Sequence, residues 1–320
     1  MKNDFIKAIM ILLTGSIAAQ FFSIVTTPIK TRLFTVEDIG LFTYITTIVG
    51  IFTPAIMGQY EAVIVLAKRH VYGVIKLCIV LCVSVTCIIT LCTSGYYIYH
   101  GTFWDNFVLI IYMPICLLIT GIINIISAYN NRCREYKLFA KINIIRAAAN
   151  LIGVLIFGFM GTGYIGLLTV ALVSQLASLR KQGQSLSGHM HEIYNARNRL
   201  LLVIAKKYWQ QPFVSMPGTF INTLSYSLIA ICIKDIYDNL AMLGYYSMSM
   251  ALLGLPLGIV SSNVSKVFFE EAVREKNNTG KFSNSFFRTT KYLLLGTIPI
   301  FILIYFFAPW GRKTVLGFDW

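Results

Sequence analysis

The sequence carries little charge for its length and very few acidic residues. Only 12% of its 320 residues are charged, and Asp and Glu together number 13, whereas 57% of the residues are hydrophobic. A soluble domain has about twice that share of charged residues. The composition therefore excludes a soluble protein and predicts an all-α fold, namely a polytopic helical membrane protein.

Motifs for metals, disulfides and nucleotides are also lacking. The seven cysteines form no CxxC pair and six of them lie in apolar runs, which argues against disulfides and a zinc site. His189 and His191 have no further histidine or cysteine nearby to complete a metal site. The nearest approach to a phosphate loop, TGKF at 279–282, lacks the upstream Gly and the following Ser/Thr. We therefore expect no metal, no cofactor and no ATP-driven step.

Long apolar runs are what the sequence does contain, about nine of them. Each is close to the roughly 20 residues that cross a bilayer as a helix. Six are predicted at about 8–28, 40–58, 72–93, 107–128, 142–160 and 163–179, and three more at about 213–233, 241–263 and 290–308. The spacing at 264–276 fits a short amphipathic helix in the membrane interface or an extension of the helix before it.

A basic segment, residues 180–211, separates the first six runs from the last three. It holds six Lys or Arg residues and one carboxylate, Glu192. A charge run of this kind is most simply a solvated loop without a binding role. Of the 27 basic residues, 22 lie at the N-terminus or on the side of this segment and 5 on the other side. The positive-inside rule places that basic side in the cytoplasm, so the charge indicates orientation and predicts no nucleic-acid partner.

This pattern divides the chain into three parts. Residues 1–180 would form a first six-helix lobe, 181–211 a cytoplasmic connector, and 212–320 a partial second lobe of about three helices. A weak internal repeat supports the division, because IGLFTYITTIVG at 39–50 matches LGYYSMSMALLG at 243–254. Both copies would cross the membrane in the same direction, which is a common plan in transporters.

Two regions of the sequence resemble a known family. One comprises TGSIAAQFFSIVTTPIKTRLFTVEDIGLF at 14–42 with QYEAVIVL at 59–66. The other runs from KKYWQQPFVSMPGTFINTLS at 206–225 through LGYYSMSMALLGLPLGIVSSNVSKVFFEEA at 243–272 to the terminal LGFDW. Both are similar to the bacterial polysaccharide flippases for O-antigen and capsule repeat units, within the multidrug/oligosaccharidyl-lipid/polysaccharide exporter superfamily.

The resemblance implies a two-lobe exporter fold, with two six-helix lobes around a cavity that opens alternately to each side. In the family about three further helices follow a segment like LGFDW. The second lobe would therefore be incomplete, and we expect a C-terminally truncated chain that inserts in the membrane without restoring export.

The resemblance also implies a function. The protein would move polyprenyl-pyrophosphate-linked oligosaccharides to the outer face of the bacterial inner membrane, and it would not be an enzyme. Its partners would be the lipid-linked oligosaccharide and membrane lipids, with a polysaccharide polymerase and assembly proteins alongside. Two alternatives stay open, a drug or cation antiporter of the same superfamily and a membrane glycosyltransferase or polymerase. The last would need a carboxylate site or a large outer loop, and neither is evident.

Two candidate substrate-path positions match the family pattern and lie near helix ends. Lys30 and Arg32 follow Pro28 at the predicted outer end of the first helix, in the family's Thr-Arg before the turn. The guanidinium suits a pyrophosphate, although a snorkelling interfacial anchor has the same sequence signature. Glu61 follows Tyr60 at the predicted inner end of the second helix, as in the family's Tyr-Glu. It would pair a cation or a coupling proton, or else be a solvated helix end.

The other candidates lie within the fifth apolar run. Arg146 and Asn150 are four residues apart, so they share one helix face. A charge one turn into an apolar run should face a cavity or a partner, because burying it in lipid is costly. Lys76 is interpreted as an interfacial anchor, and Lys234 with two nearby aspartates as part of an outer loop.

Overall fold

The computed structural model describes residues 2–67, 70–133 and 135–251, with residues 253, 254, 275, 283, 286–291, 294–295, 298, 301–302 and 306. Every regular element within these residues is a helix, and none of them lies in a strand. Five of the helices are long and apolar enough to cross a membrane. The prediction of an all-α, polytopic helical membrane protein is therefore confirmed.

The chain divides into two compact units, residues 1–243 and 244–320. In the second unit residues 244–251 and 286–291 are helical. The end of the predicted helix at 241–263 from residue 255 onwards, more than half of the one at 290–308, nearly all of the segment 264–276, and LGFDW lie outside the described residues. The count of nine spans and the three-part division remain predictions.

Helices of the first unit follow one another with short turns. They are α1 (Lys2–Leu33), α2 (Val36–Phe52), α3 (Glu61–Leu66), α4 (Val71–Tyr99), α5 (Phe107–Arg132), α6 (Tyr136–Phe159), α7 (Gly163–Ser187), α8 (Met190–Asn195), α9 (Asn198–Lys207) and α10 (Met216–Tyr237). A π-helical turn, Gln211–Ser215, leads into α10. The five candidate spans are α4, α5, α6 from Lys137 onwards, α7, and the π-helical turn with α10.

The first helix is longer than the sequence predicts. The apolar run predicts its end at about residue 28, but α1 continues through Pro28 to Leu33. Nearby hydroxyls take part in the backbone hydrogen bonding, since Thr31 Oγ1 donates to the Pro28 carbonyl at 3.1 Å and Thr27 Oγ1 to that of Ser23 at 2.9 Å.

The second helix was predicted at 40–58, but it begins and ends earlier, at Val36 and Phe52. α2 ends at Phe52 and a series of tight turns leads to α3, which begins at Glu61. Pro54 has no backbone N–H with which to continue the helical hydrogen bonds, and Gly58 and Gln59 both have positive φ values, of 56° and 62°. Hydropathy is continuous across this region, so the apolar pattern alone concealed the break.

α6 is packed between α1 and α7, and glycines allow the helices to approach closely. A Cβ atom at Gly15 would lie 2.5 Å from the Cβ of Ala140, and one at Gly158 would lie 2.6 Å from a methyl of Leu33. On its other side, α6 brings Gly153 against Val170 of α7. Close approach through small residues is how helices associate in a membrane, where burial of apolar surface from water does not drive them together.

The segment between α7 and α10 is folded rather than a solvated loop. α7 extends to Ser187, beyond the predicted end at 179, and α8 and α9 follow it. Tyr72 Oη lies 3.0 Å from His189 Nδ1 with the two rings stacked, and Tyr60 Oη donates to the Ala205 carbonyl at 3.1 Å. We call this side of the first unit the connector end; the positive-inside prediction makes it cytoplasmic.

Candidate functional site

Arg146 lies near the middle of α6 and faces α7. Its Nε donates a hydrogen bond of 2.8 Å to Ser178 Oγ. Among the residues the structure describes, no carboxylate forms an ion pair with this guanidinium. The charge is therefore held within the helix bundle by a hydroxyl, and its orientation is set by α7.

The hydrogen bonding continues from Ser178 into α5. Gln182 Nε2 donates to Ser178 Oγ at 2.7 Å, Asn130 Nδ2 donates to the Gln182 carbonyl at 3.1 Å, and Ser127 Oγ lies 3.5 Å from Gln182 Oε1. Ser178, Gln182 and Asn130 are at most 1% exposed. We call this set, Arg146, Ser178, Gln182, Asn130 and Ser127, the polar network.

Three buried polar atoms in and beside this network have no hydrogen-bond partner among the described residues. They are Arg146 Nη2, Asn130 Oδ1 and Glu61 Oε2. Each unsatisfied buried group costs about 1–3 kcal/mol, so these three atoms lower the free energy of unfolding of the protein. Donor and acceptor capacity left open inside an apolar bundle is what a polar ligand would use.

Glu61 differs in position from the prediction, because it begins α3 instead of ending the second helix. It lines an open cleft of about 450 Å³ that is otherwise mostly apolar, together with Ala62, Val65, Ser127, Ala128, Asn131 and Phe139. Ser127 thus belongs both to this cleft and to the polar network. The structure therefore connects Glu61 and Arg146 indirectly, through α5 and α7.

Arg132 caps the C-terminal end of α3. Its Nη1 donates to the carbonyls of Ile64 at 3.1 Å and Val65 at 3.5 Å, and also to that of Ala67. The last carbonyls of a helix have no partner within the helix and carry partial negative charge, so a cation there is stabilising. The sequence indicated Arg132 only as part of the basic side.

Lys30 and Arg32 lie in the last turn of α1, not beyond the helix as predicted. Lys30 is half-buried, with Nζ 4.4 Å from the ring centroid of Phe42, whereas Arg32 is exposed. Leu33 packs on Gly158, twelve residues after Arg146 in α6. At 1.5 Å per residue this basic pair is roughly 18 Å further along the bundle than Arg146. The structure does not bring the two together.

Asn150 shares the α7-facing side of α6 with Arg146 and Gly153, as its spacing predicts. Sequence reasoning missed Asn130 and Ser127 on α5 and a set of residues on α7. Ser174, Ser178 and Gln182 are all buried and recur every four residues, which places them on one helix face. That periodicity, which continues from the apolar run into the predicted connector, was the signal available for finding the residues on α7.

Lys76 binds the connector instead of anchoring α4 in the interface. Its Nζ donates to the carbonyl of Tyr194 at 2.9 Å and to that of Ala196 at 2.6 Å. These two bonds fix the turn between α8 and α9 against the second turn of α4. With the hydroxyl of Tyr60 and the imidazole of His189, they attach the connector at three places.

The end of α10 is also more structured than an outer loop. Lys234 and Asp235 belong to its last turns, and Tyr44 Oη of α2 lies 3.4 Å from Asp235 Oδ1. Lys234 Nζ donates to Asp238 Oδ1 at 2.6 Å. This hydrogen bond lowers the pKa of the exposed Asp238 carboxyl below its ordinary value.

Long apolar helices that enclose a buried polar network with open hydrogen-bonding capacity define an integral membrane protein with a polar interior. A family model described as polysaccharide biosynthesis protein matches residues 29–320, so the chain belongs to that family. Membership places it in the synthesis or export of polysaccharide. Searches of curated proteins and of solved structures gave no match.

Proposed function

We propose that the protein is a flippase for polyprenyl-pyrophosphate-linked oligosaccharide repeat units in the bacterial inner membrane. It would pass them from the cytoplasmic to the outer face by alternating access, for O-antigen, capsule or exopolysaccharide synthesis. The observation that carries the proposal is the polar network around Arg146, with its unpaired Nη2, inside a bundle of apolar helices. Membership of the polysaccharide biosynthesis family supports it.

The physical problem in flipping is the sugar headgroup. Each hydroxyl that enters hydrocarbon without a partner costs several kcal/mol, whereas the polyprenyl tail can stay in the lipid. Donors and acceptors inside the bundle, such as Arg146 Nη2 and Asn130 Oδ1, would replace the water that the sugar loses. No covalent bond is made or broken, so the protein is proposed as a transporter and not as an enzyme.

The charged candidates occupy three levels of the first unit. Glu61 is at the connector end, Arg146 lies in the middle of α6, and Lys30 and Arg32 are at the opposite end. If the connector end is cytoplasmic, Lys30 and Arg32 lie at the outer face, to which the pyrophosphate is moved. The planar guanidinium of Arg32 suits a pyrophosphate oxygen pair.

Ligand binding by the purified chain tests the proposal. A fluorescent polyprenyl-pyrophosphate oligosaccharide in detergent micelles should bind the protein more tightly than polyprenyl phosphate without sugar. Arg146→Gln should weaken binding of the oligosaccharide about ten- to a hundredfold, because a charged hydrogen bond contributes about 1.5–3 kcal/mol.

Lys141→Gln is the matched control, because Lys141 is an exposed cation on the same helix. Its affinity for the oligosaccharide should be unchanged. Equal binding of the lipid with and without sugar, or equal effects of the two substitutions, would contradict the proposal.

A drug or cation antiporter is the second candidate, and Glu61 favours it. Its Oε2 is buried without a hydrogen-bond partner in a largely apolar cleft, where an organic cation would find a counter-charge. The two functions differ in the ligand. A lipophilic cation that binds the protein, and whose affinity Glu61→Gln abolishes while the lipid-linked oligosaccharide does not bind, would establish the antiporter.

A further inference from the structure

A second cavity lies at the connector end, away from the polar network. Its volume is about 610 Å³, and it lies between the end of α3, the first turn of α4, and α9. The lining residues are Leu66, His70, Val74, Leu200, Val203, Ile204, Lys207 and Tyr208. Five of the eight are aliphatic, and the cavity has the size of an ordinary small-molecule site.

The polar residues of the cavity are cationic or neutral. Lys207 is exposed, and its Nζ lies 5.5 Å from the ring centroid of Tyr208. His70 is exposed as well, and none of the described residues that line the cavity is acidic. Aliphatic walls beside a lysine and a histidine fit an amphipathic anion better than a neutral or cationic ligand.

The backbone at His70 is held in a sparsely populated conformation. Its φ and ψ are 59° and 36°, in the left-handed region, and its side chain does not cap α4. A residue other than glycine in this region costs of order 1 kcal/mol, and such residues cluster at ligand sites. In this conformation His70 lies at the edge of the cavity and does not extend α4 towards the N-terminus.

We propose that this cavity binds an anionic phospholipid, with an acyl chain against the aliphatic walls and the phosphate at Lys207 and His70. The charge complementarity selects the occupant, because the predicted cytoplasmic leaflet is where anionic lipid faces basic protein segments. Val203 is 60% exposed although it is aliphatic, and a bound acyl chain would cover it. The inference does not depend on what the protein transports.

A bound lipid would join α9 to α4 in addition to the direct contacts between them. Leu200 and Ile204 already pack on Gly73. Anionic lipid would therefore stabilise the docked position of the connector.

Native mass spectrometry of the purified full chain tests the site, with phosphatidylglycerol compared with phosphatidylcholine of the same acyl chains. Phosphatidylglycerol should bind at lower concentration. Lys207→Gln should weaken it about fivefold, since one basic residue near a lipid phosphate is worth about that factor. Lys206→Gln is the control, because Lys206 is the exposed neighbour that does not line the cavity.

A second pair of substitutions tests the acyl-chain position. Val203→Trp should fill the cavity and weaken phosphatidylglycerol binding by a similar factor, whereas Leu202→Trp, on an equally exposed residue outside the lining, should not. All four positions are exposed, so each variant is expected to fold. Equal binding of the two phospholipids, or equal effects within either pair, overturns the proposal. Displacement of phosphatidylglycerol by a lower concentration of polyprenyl phosphate also overturns it, by assigning the cavity to the lipid carrier.

Discussion

At the scale of single residues, the break between α2 and α3 depends on Gly58. Its φ of 56° is in the left-handed region, and a Cβ atom there would lie 3.2 Å from the Cβ of Pro212. An L-residue pays about 1–2 kcal/mol for that conformation, and the close contact with Pro212 adds to the cost. Gly58 therefore allows both the turn and the close approach of the segment before α10.

We expect Gly58→Ala to lower the thermal unfolding midpoint of the purified protein by several degrees, as a loss of about 1–2 kcal/mol predicts. Gly50→Ala is the control. Gly50 is helical, and a Cβ atom there would have nothing within 4 Å of it, while alanine favours a helix by about 1 kcal/mol. A Gly58→Ala protein as stable as Gly50→Ala would contradict the geometric argument.

Arg132 provides a second prediction at this scale. Arg132→Gln removes the cation from the last carbonyls of α3, at a cost of about 1.5–3 kcal/mol for charged hydrogen bonds. We expect faster proteolytic cleavage near α3 and a lower unfolding midpoint. Lys137→Gln changes an exposed charge on the same side of the protein and should alter neither. If the two variants are cleaved at the same rate, the cap does not stabilise α3.

The sequence predicted some of the site residues better than others. Arg146 stood out because a charge in an apolar run needs a partner, and a partner, Ser178, is what it contacts. Ser178 and Gln182 did not stand out, because Ser178 lies at the end of the predicted helix and Gln182 in the predicted connector, whereas α7 in fact extends to Ser187. The role proposed for Arg146 in the substrate path remains a prediction.

At the scale of elements, α9 is docked on α4 through one small residue. A Cβ atom at Gly73 would lie 2.9 Å from a methyl of Leu200 and 3.0 Å from a methyl of Ile204. The rest of the attachment is polar, including the bonds from Lys76 to the turn before α9. The position of α9 on α4 is thus determined by close packing at Gly73 and by the hydrogen bonds around it.

Gly73→Leu should therefore displace α9 and expose the connector to protease, while the membrane helices remain inserted. Gly95→Leu is the matched control in the same helix, because nothing lies within 4 Å of a Cβ atom there. We expect limited proteolysis between residues 188 and 211 to be accelerated severalfold in Gly73→Leu alone. Equal cleavage of both variants would show that α9 does not depend on this contact.

Helix existence was easier to predict than helix ends. The apolar runs located α4, α5 and α7 correctly because length and hydropathy suffice for a spanning helix. They could not show that α1 passes through Pro28 or that the connector folds. The fold of the connector depends on contacts with residues distant in sequence, such as those of Tyr72 with His189 and Tyr60 with Ala205. A charge run gives no information about such contacts.

At the scale of the whole molecule, the orientation in the membrane is the main prediction. The excess of basic residues on one side, 22 of 27, places the connector end in the cytoplasm. In a variant without the seven native cysteines, an impermeant thiol reagent should label Asp105→Cys in intact cells. Asn195→Cys should be labelled only after permeabilisation. Both positions are exposed, so accessibility depends on the side of the membrane. The reverse labelling pattern would invert the orientation.

The π-helical turn, Gln211–Ser215, has a consequence for how α10 is aligned. A π-helical turn holds one more residue than an α-helical turn, and the surplus residue amounts to roughly 100° of rotation about the axis. If the turn changed to α-helical geometry, the whole of α10 would rotate about its own axis by that angle. Asp235 would then move away from Tyr44, and the face that α10 presents to α2 would be exchanged for another without any helix unfolding.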